Sequence, residues 1–172
     1  LGDFAKNGKF ADETPIATEG DLAVYSYPGS TVSGKTISEV ISAHLASVKR
    51  GDYVAITQYI EETPANDAVL QEIRTVIRDR HKVATTTGYG PRFLHSTGQL
   101  HKGGPATGVF IQLTCDDAED IAIPGEKYGF SALKEAQSRG DFESLASRGR
   151  RAIRVHLGKD VAGGLAKLKA LI

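Results

Sequence analysis

The sequence contains no methionine, a single cysteine and no excess of charge of either sign. Each shortage removes a class of explanation. One cysteine, Cys115, cannot form an intramolecular disulfide and fits a reducing compartment. The absence of Met, even at position 1, leads us to expect that the chain begins inside a longer polypeptide. Lys plus Arg and Asp plus Glu both total 21, so no net positive field draws nucleic acid or an anionic membrane surface, and any phosphate site must be local. No apolar run approaches the roughly 20 residues that span a bilayer. The start at Leu1 also lacks the basic and apolar regions of a signal peptide. We therefore expect a cytoplasmic protein with neither nucleic acid nor membrane as a partner.

What is present is an ordinary globular composition, 40% hydrophobic and 24% charged over 172 residues, enough for one domain with its own core. The first twenty residues show no sustained period and read as a linker or ordered tail, leaving 21–172 as the domain. From Asp21 onward, short β-prone runs alternate with segments of helical period. Strands are expected at Leu22 to Tyr27, Asp52 to Ile60, Val83 to Thr87, Val109 to Leu113 and Ala152 to Leu157. Between them, Ile37, Val40, Ile41, His44, Leu45 and Val48 recur at intervals of three and four, as do Val69, Leu70, Ile73, Val76 and Ile77 after Pro64. Helices are also expected at Phe130 to Gln137 and Val161 to Leu171. Five strands mostly separated by helices predict an α/β fold with a five-stranded parallel sheet covered on both faces, because parallel neighbours need a crossover.

The densest cluster of chemically able side chains runs from Gly88 to Pro105, directly after the third of these strands. In open parallel sheets the crevice beyond the strands' carboxyl ends is the usual ligand site. Glycines let backbone approach a ligand, and the Arg, His, Ser, Gln and Lys side chains bind hydroxyls or phosphate. The competing reading is a Gly-rich surface loop. A metal site has no support, since His95 and His101 are six apart without the Cys or carboxylate spacing of zinc sites. No nucleotide-binding glycine pattern follows the first strand, so no cofactor is expected. Cys115 has no activating partner nearby in sequence and reads as structural.

The string LHSTGQLHKGGP, preceded by GYGPRF and followed by GVFIQLT, resembles the isomerase part of bifunctional transaldolase/phosphoglucose isomerases. DDAEDIAIPGEKYGFSALKEAQSRGDFESL and GRRAIRVHLG are similar to the same family in the same order, so the resemblance spans residues 50–172. It implies a sugar isomerase (SIS) domain with a three-layer α/β/α arrangement around a five-stranded parallel sheet. It also implies interconversion of glucose 6-phosphate and fructose 6-phosphate through an enediol. On this reading the chain is the carboxyl-terminal half of a phosphoglucose isomerase unit, partnered by preceding sugar isomerase and transaldolase domains of its parent. The alternative is a non-catalytic sugar phosphate binding or regulatory module, since fold alone does not decide function.

Ring opening needs an acid/base group, and a histidine suits it near neutrality. His95 lies in the segment most like the bifunctional family. His101 lies nearest the Gly-Gln-His segment of single-function phosphoglucose isomerases, which Gly98-Gln99-Leu100-His101 resembles with one residue inserted. Both stay candidates. Lys159, in Leu157-Gly158-Lys159, resembles the catalytic lysine of the single-function enzymes, where it would donate a proton or stabilise negative charge. The family's proton-transfer glutamate has no match, and Asp79 between Arg78 and Arg80 is the stand-in, with a surface ion pair as its competing role. Arg92, Ser96, Gln99 and Lys102 are the candidates for binding phosphate or sugar hydroxyls.

Overall fold

A computed structural model describes residues 1–172, all side chains included except those of Asp3 and Leu94. The chain forms α1 (Gly2–Asn7), β1 (Ala17–Glu19), β2 (Leu22–Tyr25), α2 (Ile37–Ala46), β3 (Tyr53–Tyr59), α3 (Pro64–His81), β4 (Ala84–Tyr89), a 3₁₀ turn at Arg92–Leu94, α4 (Ser96–Gly103), β5 (Gly108–Thr114), α5 (Phe130–Ser147), β6 (Arg151–His156) and α6 (Val161–Leu171). The sheet has six strands in the order β1-β2-β6-β5-β3-β4. Strands β6, β5, β3 and β4 are mutually parallel, whereas β1 pairs with β2, and β2 with β6, antiparallel.

Two expectations change here. The sheet is six-stranded and only mostly parallel. The first strand, expected as a parallel member, is instead half of a hairpin that closes one edge. Its cause is local: Glu19 opposes Leu22 across the two-residue turn Gly20–Asp21, and Gly20 sits at φ +59. A glycine at the first turn position supplies the backbone twist that joins antiparallel strands tightly. The stretch read as linker or tail thus contains α1 and β1.

The strand alternation divides the sheet into two unlike faces. Val54 and Ile56 of β3, Val109, Ile111 and Leu113 of β5, and Ile153 and Val155 of β6 join α2, α3 and α6 in one aliphatic cluster. The neighbouring positions point the other way, as the period of two requires. There Ala55, Phe110 and Ala152 meet Phe142 and Leu145 of α5, while Thr57, Gln112, Thr114 and Arg154 are buried polar residues. This second, mixed face carries the chemistry.

Helix α3 shows how firmly the scaffold is set by local signals. Thr63 caps its start, with Oγ1 accepting from Asn66 N at 3.1 Å, and Pro64 takes the first turn, where no amide donor is needed. Leu70, Ile73 and Ile77 form its buried stripe. Thr63→Ala is expected to cost about 1 kcal/mol, read as a fall of about 2–4 °C in melting temperature.

Candidate functional site

The expected ligand segment leaves β4 at the carboxyl edge of the parallel strands, and half of it is a helix where the sequence suggests a loop. Gly98 explains how α4 fits: a Cβ there would lie 2.5 Å from the Phe93 carbonyl oxygen of the preceding 3₁₀ turn. Only glycine permits that approach. At the other end of α4, Arg150 satisfies the free carbonyls, donating to His101 O at 3.1 Å, Lys102 O at 2.9 Å and Gly104 O at 2.6 Å.

The two candidate histidines part company on this helix. His95 sits at its amino end and is exposed, with Ser96 and Gln99 exposed beside it. His101 is buried at 5% exposure, stacked on Tyr53 with ring centroids 5.9 Å apart and edge-on to Phe110 at 5.0 Å. Burial, helped by the adjacent Lys102 charge, lowers its pKa to about 4, so it is a neutral packing group at pH 7. Lys102 forms an ion pair with Asp141 of α5, whose side chain is almost wholly buried. Desolvation raises the Asp141 pKa and Lys102 opposes that rise. Arg92 is exposed and pairs with Glu62.

Asp79 lies elsewhere. Helix α3 runs back from the carboxyl end of β3 to the start of β4, so its last turns sit at the amino edge of the sheet, opposite His95. Asp79 is exposed there and bonded to Arg78 Nε at 2.8 Å, which holds its carboxyl below the usual range. Lys159 follows β6 at the carboxyl edge and is exposed. Since β5 and β3 separate β6 from β4, three strand spacings of ~4.8 Å put about 14 Å between their ends.

The same edge holds a cavity of about 490 Å³ that none of the sequence-derived candidates lines. It opens over the ends of β3, β5 and β6, at Tyr59, Thr114, Cys115 and His156, between α5 and the segment Phe4 to Glu13. Its charges are organised in pairs. Lys134 bonds Asp117, Arg139 bonds Glu135 at 2.6 Å, and Arg154 bonds Glu13 at 2.7 Å. His156 Nδ1 lies 3.1 Å from Thr114 Oγ1 and its Nε2 lies 3.4 Å from Asp116. Burial lowers the His156 pKa against the opposing pull of Asp116, so its ring is a neutral base near pH 7.

No protein-family model and no curated protein matches the sequence. Among solved structures, the chain is similar to a hypothetical protein, TT0462, from Thermus thermophilus, with a TM-score of 0.62 and 17% identity over 79% of this chain. It spans 39% of that protein's length. The likeness is one of fold.

Cys115 is half-buried, with its sulfur 3.7 Å from Lys134 Nζ, a neighbour distant in sequence. Burial nevertheless raises the thiol pKa despite that lysine, so the sulfur stays protonated at neutrality. Among the described residues, no group of three or more His, Cys, Asp or Glu is placed to hold a metal ion, and no helix is long and apolar enough to cross a membrane. The cavity residues escape a reading of the sequence because they come from separate segments. One signal exists: Arg154 and His156 alternate with the apolar Ile153, Val155 and Leu157, which places two polar side chains on one face of the sheet.

Proposed function

We propose that this chain is the carboxyl-terminal sugar isomerase domain of a cytoplasmic transaldolase/phosphoglucose isomerase, with the three-layer α/β/α form of that family. The observation that carries the reading is the exposed trio His95, Ser96 and Gln99, presented by α4 just beyond the carboxyl end of β4. His95 is the acid/base group that opens the sugar ring, and Ser96 and Gln99 bond hydroxyls. Lys159, at the same edge, stabilises negative charge developing on the substrate. His101 and Lys102 hold α4 against β5 and α5 instead of touching substrate. Proton transfer between the first two sugar carbons then needs a base from a preceding sugar isomerase domain, which also anchors the phosphate.

A coupled assay for glucose 6-phosphate formed from fructose 6-phosphate tests this, run at equal molar concentration on this chain and on a protein carrying both sugar isomerase domains. Turnover is expected in the two-domain protein, with little or none in this chain alone, because one wall of a cleft neither positions the substrate nor supplies both proton-transfer groups. Binding of sugar phosphate by the two-domain protein without turnover would assign the domain as a binding module instead.

A further inference from the structure

Among the cations that line the cavity beside α5, Arg154 of the sheet is held by a carboxylate of the irregular segment between α1 and β1. Lys134 and Arg139 also have partners on or next to α5, Asp117 and Glu135. Arg154 has only Glu13 among the described residues, and that contact is made by the irregular segment between α1 and β1. The Arg154 side chain is 6% exposed and lies over the Tyr25 ring at 4.4 Å and the Phe142 ring at 5.6 Å, so β2 and α5 fix it in place whether or not Glu13 is present. Arg139 reaches the same carboxylate oxygen at 3.1 Å. Two guanidinium groups thus converge on one oxygen of a carboxylate that an irregular backbone brings to them.

The geometry points to Arg154 and Arg139 as a binding subsite for the oxyanion of a small phosphomonoester or inorganic phosphate, with Glu13 as its built-in competitor and the segment from Lys9 to Glu13 as a displaceable strap. Removal of Glu13 leaves a buried guanidinium without a counter-charge beside a cavity large enough for a small ligand, a strongly unfavourable state that an incoming anion relieves. The strap is lightly held. Among the described residues, its backbone makes no backbone–backbone hydrogen bond between Gly8 and Ile16. Its attachments are the Arg154 and Arg139 pairs, an Arg139 bond to Ala11 O at 2.7 Å, and Phe10, whose ring lies tilted against Phe4 with centroids 4.9 Å apart and under Arg139 at 5.0 Å. All of these attachments except the Phe10–Phe4 contact involve the arginines that the anion would claim. A tethered carboxylate competes at the millimolar effective concentration typical of short segments, so it lowers the apparent affinity for phosphate without abolishing it. This inference stands on the cavity alone and is independent of the isomerase reading.

The test is titration of this chain with inorganic phosphate at constant ionic strength, by calorimetry and by thermal melting, alongside amide hydrogen exchange. Glu13→Gln is expected to bind phosphate roughly ten-fold or more tightly than the unaltered chain, with a correspondingly larger phosphate-induced rise in melting temperature. In the unaltered chain, phosphate is expected to speed exchange at residues 9–13 as the strap is displaced. Adding Arg154→Gln to Glu13→Gln should abolish the gain. If that double variant fails to fold, Glu13→Gln with Arg139→Gln serves instead, since Arg139 is the more exposed of the two, and at least half the gain in binding free energy should disappear. Equal affinity in the Glu13→Gln and unaltered chains, a gain that survives loss of the arginine, or exchange at residues 9–13 that phosphate slows or leaves unchanged would each overturn the proposal.

Discussion

Lowering the pH from 7 to 4 is expected to remove several kcal/mol of the protein's stability, and a main cause is a pair of buried neutral histidines packed against one strand. His44 of α2 is fully buried, with Nε2 donating to Phe110 O at 3.0 Å and Nδ1 without a partner among the described residues. His101 packs against the Phe110 ring. Burial lowers both pKa values from 6.5 to about 4. In each case the unfolded chain takes up a proton first as the pH falls. Their contribution is therefore complete above pH 6.5, declines steadily below it, and is exhausted near pH 4. At 1.36 kcal/mol per pH unit, each histidine accounts for on the order of 3 kcal/mol. Domains of this kind have about 5–15 kcal/mol in all, so two such losses are a large share of the total. Thermal melts from pH 7 to 4 check this, compared with His101→Phe, which keeps an aromatic ring on Tyr53 but cannot titrate. The variant should lose stability less steeply over this window, and equal slopes would show that His101 does not drive the transition.

On the isomerase reading proposed above, His95→Ala in the two-domain protein is expected to lower turnover by about 10² to 10⁴, the usual worth of a general acid/base group. The same protein with His101→Phe should retain near-normal turnover per folded molecule at pH 7. The contrast follows from position. His95 is exposed at the amino end of α4, whereas His101 is shut between Tyr53 and Phe110 and has no route to a substrate. Solvent hydrogen exchange into the first carbon of fructose 6-phosphate provides a separate readout, since it reports enediol formation even where product release limits turnover. Full activity after loss of the His95 imidazole would remove it from the ring-opening role.

The fold is legible where one period rules a segment. Ile37 to Val48 and Val69 to Ile77 each show an aliphatic stripe, and helices form over Ile37–Ala46 and within Pro64–His81, packed on the aliphatic face of the sheet. Helix α5, expected from its period only to Gln137, runs to Ser147, because its buried side includes Ser138 and Asp141, and buried polar residues break the hydrophobic period. Helix α4 is hidden for a similar reason. Gly98, Gly103 and Gly104 read as loop residues, yet Gly98 is there for close packing and Arg150, distant in sequence, caps the carboxyl end. The hairpin at Gly20–Asp21 escapes notice because its first strand is three residues long.

The candidate site is legible only in part. His95, Ser96 and Gln99 are neighbours along one short stretch, so proximity in sequence becomes proximity on the helix. Nothing local distinguishes His95 from His101. That distinction comes from Tyr53 and Phe110, which belong to the neighbouring strands β3 and β5. The cavity at Glu13, Arg139, Arg154 and His156 joins segments up to 143 positions apart, and no window along the chain contains it.

The unlike faces of the central sheet imply that this fold accumulates change at two speeds along the same strand. Val109, Ile111 and Leu113 belong to the mostly aliphatic cluster, so their descendants can exchange branching and bulk with their neighbours while total volume is kept. The alternate residues have less freedom. Phe110 is wedged among Tyr53, His101 and the α5 side chains, Gln112 donates to Ser138 O at 3.0 Å, and Thr114 meets His156. Replacing any of them disturbs a specific partner. Chains that share this architecture but little overall identity should therefore differ most at the odd-numbered positions of β5 and retain their ancestry, if anywhere, at the even ones.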